Sequence, residues 1–425
     1  MAANRHNDWP AEKLEDICSQ ITDGKHGDCQ NEPNSGFYFL SCKDVVDGKL
    51  NYGGARQITQ ADFLDTHRRT KFAPADVLIP NSGTIGRMAL APDNELTRRT
   101  TFQKSVAILK PIASRVEPSF LYYALQSDIR RLIEFAGGTA QKNLLLRDLR
   151  AFEIGLPPIP VQRRIAGVLS AYDDLMENSQ RRIRILEAMA RSLYREWFVH
   201  FRFPGHENYP RVASHLGDIP KGWEVTKLGG QLTALESGKR PKGGIRDVDY
   251  GVPSIGAENI NGIGKHDFAS EKFVPRQFFQ EMRKGVVRDR DVAIYKDGAY
   301  IGKSTYFRDG FPHAECCVNE HVFLLRSNGV RLKQNALYLW LQEPDTIHAI
   351  RATNANAAQP GINQQSVGGL ELVLPDEKTA AHFDGLVEPL LARVINLAKK
   401  IQNLSRTCDL LLPRLLSGQV QIATN

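Results

Sequence analysis

The sequence predicts an α+β protein with two mixed α/β globules, separated by two long helices that form an antiparallel coiled coil, and with an internal pseudo-twofold repeat. Three observations predict it. An ordered series of residues recurs 214 to 218 positions apart, short β-type runs fill the first part of each copy, and a long apolar seam closes each copy. The expected boundaries are 1–155 for the first globule, 156–203 for the first helix, 204–373 for the second globule and 374–425 for the second helix.

The repeat begins at Trp9, Lys13, Leu14, Gly24 and Lys25, which match Trp223, Lys227, Leu228, Gly238 and Lys239 at an offset of 214. Asp76-Val77 and Ile79 match Asp291-Val292 and Ile294 at 215. Ile85-Gly86, Tyr122 and Leu125-Gln126 match Ile301-Gly302, Tyr338 and Leu341-Gln342 at 216. Gln141, Glu153 and Leu156-Pro157 match Gln359, Glu371 and Leu374-Pro375 at 218. A drift of four residues over such a series is what small loop insertions in one common fold produce.

Within the globules, runs such as 37–40, 76–79, 105–109 and 321–325 are apolar, β-branched or aromatic, and Gly, Asn, Asp and Pro punctuate them. A helical patch follows near 119–135 and again near 334–351. Each globule therefore reads as a twisted sheet with helices. The first long helix carries a seam at Ile165, Val168, Tyr172, Met176, Ser179, Ile183, Leu186, Ala190, Leu193 and Trp197. Adding 218 yields Phe383, Leu386, Leu390, Val394, Leu397, Ile401, Leu404, Cys408, Leu411 and Leu415. Steps of three and four with one stutter make a coiled-coil seam, and about 40 residues at 1.5 Å each span roughly 60 Å. Each helix is joined to a globule at its start, so pairing makes the two run antiparallel. Two independent helices, each packed on its own globule, are the other reading.

Composition bounds the function. The chain has 425 residues, enough for about two to four domains. A net charge of +7 is compatible with a polyanionic partner without requiring one. No apolar run approaches the roughly 18 residues of a membrane span, and 1–10 lacks the apolar core of a signal peptide. The six cysteines form no C-x-x-C pair, so neither a disulfide framework nor a zinc site is expected, and a reduced cytoplasmic setting is.

The helix opening Leu156-Pro157-Pro158-Ile159-Pro160-Val161-Gln162-Arg163-Arg164-Ile165, the stretch Gly251-Val252-Pro253-Ser254-Ile255-Gly256-Ala257-Glu258-Asn259-Ile260, and the turns at 83–86 and 298–303 resemble the specificity subunits of type I restriction–modification enzymes. The resemblance covers nearly the whole chain. It implies that each globule is a target-recognition domain reading one half of a bipartite, asymmetric site on double-stranded DNA. The helices then set the spacing and dock two modification (adenine methyltransferase) subunits, and restriction subunits complete the complex. It also implies a non-catalytic chain without cofactors of its own, with S-adenosylmethionine, ATP and Mg on partner subunits. One departure stands out. The second helix opens Pro375-Asp376-Glu377-Lys378-Thr379, without the Pro-Pro and Gln of the first.

Candidate DNA contacts come from side-chain chemistry and repeat position. Lys25, with Lys239, Arg240 and Lys242, follows a repeated turn and suits phosphate contacts. Arg87 and Lys303 sit in the second repeated turn, where a phosphate or a guanine edge is within their chemistry. Gln141, Lys142 and Asn143 correspond to Gln359, Asn363 and Gln364; Gln and Asn pair bidentately with adenine, and Lys neutralises phosphate. For all twelve a solvated polar loop is the plain alternative. The 298–304 turn falls one residue short of a phosphate-binding loop, because Asp297 stands where the first Gly is required. Arg181, Arg182, Arg184, Arg191 and Arg195 read as a coiled-coil flank, and the aromatic run 197–203 reads as a packed join between helix and second globule. His206, His215 and His313 lack metal-ligand spacing. No dinucleotide fingerprint, complete phosphate loop, nucleophile elbow or amino-methyltransferase tetrapeptide is present. A coiled-coil scaffold and a cryptic DNA-modifying enzyme remain the competing functions.

Overall fold

The structure, a computed structural model, describes residues 9–46, 48–83, 85–135, 143–245, 248, 250–353 and 361–420. The chain divides into two compact units, 1–174 with 404–425, and 175–403. The division falls inside both long helices, Ile159–Tyr194 and Glu377–Leu416.

In unit 1 a four-stranded antiparallel sheet runs in the order Cys18–Asp23, Val106–Pro111, Val77–Pro80, Ala89–Leu90. In unit 2 the same order is filled by Leu232–Ser237, Val322–Ser327, Val292–Tyr295 and Ser304–Tyr306. A smaller mixed sheet follows the same correspondence. Tyr38–Leu40 pairs antiparallel with Arg56–Gln57 and parallel with Thr100–Phe102. Val252–Ile255 pairs antiparallel with Phe273–Val274 and parallel with Cys317–Val318. A two-stranded pair closes each unit: Ala11–Lys13 with Glu153–Gly155, and Glu224–Lys227 with Glu371–Leu374.

The central strands read as unbroken apolar runs because both of their faces are buried. Ala107 and Leu109 enter one core with Val77 and Ile79, whereas Val106 and Ile108 enter another with Leu78. Unit 2 splits the same way: Val292, Ile294, Phe323 and Leu325 face one core, and Ala293, Val322 and Leu324 the other. Each expected helical patch is two helices, Pro118–Ser127 with Ile129–Phe135, and Gln334–Trp340 with Pro344–Ala352. Pro344 explains the second break, since it starts a helix readily but cannot continue one.

The long helices contribute to both cores. In unit 1 Ile165, Ala166 and Leu169 of the first helix share a core with Leu415 of the second. In unit 2 Ile183, Ala190 and Tyr194 share one with Phe383, Val387, Leu391 and Val394. All ten seam positions of the first helix are buried or half-buried. One position of the second corrects the expectation: Leu386 is 42% exposed and Val387, at 0%, is the buried residue. The cause is a wider apolar face. Here the helix packs against its globule as well as the other helix, so rows four apart (383, 387, 391, 395) are buried beside the seam. The aromatic run is a join as expected, with Trp197 and Phe203 buried and Phe203 stacked on Trp223 at 5.1 Å. Among the described residues no helix is long and apolar enough to cross a membrane.

Candidate nucleic-acid interface

One end of the central sheet in each unit gathers the segments singled out in the sequence. In unit 1 the Lys104 N–H donates to the Lys25 carbonyl (3.1 Å), the Asn81 N–H to the Ser105 carbonyl (3.0 Å), and the Leu144 N–H to the Asn81 carbonyl (2.9 Å). Lys25, the turn carrying Arg87, Lys104 and Asn143 are thus segments of one end. In unit 2 the Lys296 N–H donates to the His321 carbonyl (3.0 Å) and the Ile362 N–H to the Lys296 carbonyl (2.9 Å). The bonds at Asn81 map onto those at Lys296 by the repeat offsets of 215, 216 and 218, so this backbone frame is built twice.

A glycine sets each frame. A Cβ at Gly24 would lie 2.0 Å from the Phe102 carbonyl oxygen, and one at Gly238 would lie 1.6 Å from that of Val318. Two backbones cross there at a distance that excludes any side chain, which fixes where Lys25 and Lys239 leave the sheet.

The side chains on the two frames differ. Lys25 Nζ lies 2.9 Å from Asp62 Oδ1 and 3.3 Å from Asp65 Oδ2. The Asp62 hydrogen bond, supported by Asp65, raises its pKa and keeps the ammonium charged. Lys25, His26, Asp65, Thr66, Arg68 and Arg69 line an open cleft. Arg69 is committed to it, with Nη1 3.1 Å from Asp23 Oδ1 and Nη2 donating to the Asp23 carbonyl at 2.8 Å. In unit 2 Arg240 pairs with Glu320 at 2.9 Å, Lys239 Nζ lies 5.6 Å from the Phe278 ring centre, and Lys303 Nζ lies 4.2 Å from that of Tyr300. Among the described residues Arg87, Lys239, Lys242 and Lys303 are exposed and make no ion pair with a carboxylate.

The amides are placed differently. Asn143 is exposed. Asn363 caps the helix Gln364–Gly368, its Oδ1 accepting from the Ser366 N–H (2.8 Å) and hydroxyl (2.9 Å). Gln364 Nε2 donates to the Leu235 carbonyl at 2.7 Å. Gln141, Lys142 and Gln359 lie outside the described residues. On the first long helix Arg181, Arg182 and Arg184 are exposed, but Arg191 donates to Gln342 at 2.9 Å and Arg195 pairs with Glu343 at 2.9 Å. The last two anchor the end of the helix to the second globule.

Sequence reasoning passed over Lys104 and Tyr300. Lys104 is exposed at the frame, where the second unit has Glu320, and Tyr300 is 57% exposed in the turn beside Lys303. The signal was available for both, because each occupies a short turn between two strands that the repeat offset identifies.

The model of the type I restriction modification DNA specificity domain matches residues 6–188. The chain is similar to the type I restriction enzyme MjaIX specificity subunit of Methanocaldococcus jannaschii, at 24% identity over 98% of this chain and 94% of that one. It is also similar to the HindI specificity subunit of Haemophilus influenzae, at 24% identity over 97% of this chain and 100% of that one. In fold it is similar to the crystallised S subunit of a type I restriction-modification system from M. genitalium, with a TM-score of 0.58 at 16% identity, covering 100% of this chain and 99% of that one.

Proposed function

From its similarity to type I restriction–modification specificity subunits, we propose that the chain is one of them and that its two globules read the two halves of one bipartite, asymmetric DNA site. It is a DNA-specificity subunit and not a catalytic one. The reading assigns 1–155 and 204–373 to target recognition, and 156–203 and 374–425 to an antiparallel coiled-coil spacer related by a pseudo-twofold repeat. Shared cores support that pairing: the start of the first helix meets the end of the second in unit 1, and its end meets the second's start in unit 2.

The observation that carries the function is the doubled backbone frame with unlike side chains. Equal frames present the same loops to a duplex, whereas Lys104 against Glu320, and an ion-paired Lys25 against an unpaired Lys239, present different chemistry to its bases and phosphates. Two readers carried on one chain also raise each other's effective concentration on one duplex. The DNA contacts are assigned to Lys25, Arg87, Gln141, Lys142 and Asn143 in the first reader, and to Lys239, Arg240, Lys242, Lys303, Gln359, Asn363 and Gln364 in the second. The helices dock two modification subunits, which bring S-adenosylmethionine. Restriction subunits bring ATP and Mg, and the assembly works in the cytoplasm.

The test is to assemble the chain with adenine methyltransferase subunits and map methylated sites in DNA. One split, asymmetric sequence is expected. A palindromic site would remove the two-reader assignment. Site choice that ignores this chain would favour the scaffold, and methylation or cleavage by the chain alone would favour the cryptic enzyme.

A further inference from the structure

We infer that His266, Glu271 and His313 form a binding site for one divalent transition-metal ion of the zinc class, clasping two loops of the second unit. Nothing in the linear sequence groups them, since His266 and Glu271 are five residues apart and His313 follows 42 residues later. In the fold, His266 Nε2 lies 2.5 Å from Glu271 Oε1, and His313 Nε2 also contacts that oxygen. The three ligand atoms all lie within 4.8 Å of one another. The side chains are withdrawn from water, His266 at 2% exposure, Glu271 at 11% and His313 at 21%.

Two imidazoles and a carboxylate are the donor set that suits zinc and its neighbours, and three protein ligands leave a fourth position for water. The rings meet almost perpendicularly, at 86°, with both Nε2 atoms aimed at one oxygen. Around a tetrahedral ion with bonds of about 2.1 Å, neighbouring donors stand ~3.4 Å apart. Loading therefore needs each imidazole Nε2 to move about 1 Å away from the Glu271 oxygen that both now face. The supporting loop is built independently of an ion. Asp267 Oδ1 accepts from the Ala269 N–H at 3.0 Å, and the Asp267 N–H donates to Asn259 Oδ1 at 2.8 Å, fixing the turn that carries His266 and Glu271. Phe268 packs edge-on against both imidazoles, with ring centres 4.5 and 5.8 Å away. An ion here ties the 257–272 segment to the loop that leads into Cys316 and Cys317.

The full chain, stripped with a chelator, is titrated with Co(II) and then with Zn(II). One Co(II) per chain with the visible bands of a four- or five-coordinate ion is expected, displaced by one equivalent of Zn(II). Zinc should also raise the melting temperature progressively with its free concentration. His313→Ala and Glu271→Gln should each weaken binding more than about 100-fold while far-ultraviolet circular dichroism stays that of the parent. If the parent chain shows no cobalt bands and no zinc-dependent shift, the triad is a hydrogen-bonded cluster and the inference falls. It falls equally if both variants bind like the parent. The wild-type titration stands even where a variant fails to fold.

Discussion

The two units fasten the start of their long helix with opposite chemistry. In unit 1 the fastener is an uncharged amide. Gln162, 1% exposed, accepts from the Glu117 N–H at 2.8 Å and donates to the carbonyls of Pro157 (2.7 Å) and Arg115 (3.2 Å). The residue 218 positions on is the buried Ala380, which can do none of this. Unit 2 uses charges instead. Arg331 donates to the carbonyls of Pro375 (2.6 Å) and Leu374 (3.0 Å), and Asp376 caps the helix by accepting from the Thr379 N–H at 2.9 Å. Farther along, the buried Arg308 donates to both oxygens of Glu388 at 2.6 and 3.3 Å, and Asn335 Nδ2 joins Glu388 (2.8 Å) to Asp384 (2.9 Å). The repeat thus preserves where a helix must be held and leaves open how. One anchor is indifferent to pH and the other is not.

The largest expected effect is on the charged side. Arg308→Met leaves Glu388 without its buried partner, and removing one member of a buried pair costs about 3–5 kcal/mol. Arg290, 2.7 Å from Glu388, keeps the loss near the lower end. Urea unfolding followed by tryptophan fluorescence reads it, because three of the four tryptophans, Trp197, Trp223 and Trp340, belong to unit 2. A loss under 1 kcal/mol would mean that the network is ornament to the packing around Phe383. Gln162→Leu tests the neutral side. It strands one N–H and two carbonyls, and each unmet buried group costs about 1–3 kcal/mol, so a total of roughly 2 kcal/mol is expected once water reaches part of the site. That loss should be the same at pH 5 and pH 8.

Acid sharpens the contrast. Burial alone would raise the Glu388 pKa, but hydrogen bonds from Arg308, Asn335 and Arg290 outweigh it and hold the value down to about 2. A depressed carboxylate contributes stability that is complete above its unfolded value near 4.5 and is lost as pH falls toward 2. Asp384 opposes this in part, because burial raises its pKa and its charged form is the costly one. The stability gap between wild type and Glu388→Gln should therefore be on the order of 2 kcal/mol at pH 7, after discounting for solvent, and should narrow below pH ~4.5. A gap independent of pH would detach Glu388 from the anchor.

Much of this was legible in the sequence, and the rest was not for physical reasons. Backbone features survived translation. The repeat offsets located equivalent strands and turns, and the glycines at 24 and 238 marked the crossings where no side chain fits. The 3,4 steps located the helices, though Leu386 misled because a helix packed on two surfaces buries more than one seam. Side-chain partnerships across the fold were illegible. Nothing near Lys25 in sequence announces Asp62 and Asp65, 37 and 40 positions away, and nothing near Asn363 says that it spends its oxygen on Ser366. Distance in sequence likewise hid the His266, Glu271 and His313 cluster.

The smallest expected effect lies at the ends proposed to contact DNA and tests whether ion pairing divides the two proposed readers. Each phosphate neutralised by a free cation adds about 0.9 to the slope of log affinity against log salt. Lys303 has no carboxylate partner among the described residues, so Lys303→Ala should lower the slope of the assembled complex by about 0.9. Lys25 must first leave Asp62 and Asp65, so Lys25→Ala should lower it by clearly less, and Asp62→Asn in the parent should restore part of a full contact. Equal slopes for the two lysine variants would mean that DNA pulls Lys25 away from its carboxylates. The unlike electrostatics of the two ends would then belong to the free protein alone, and the difference between the half-sites would have to come from base contacts rather than from backbone charge.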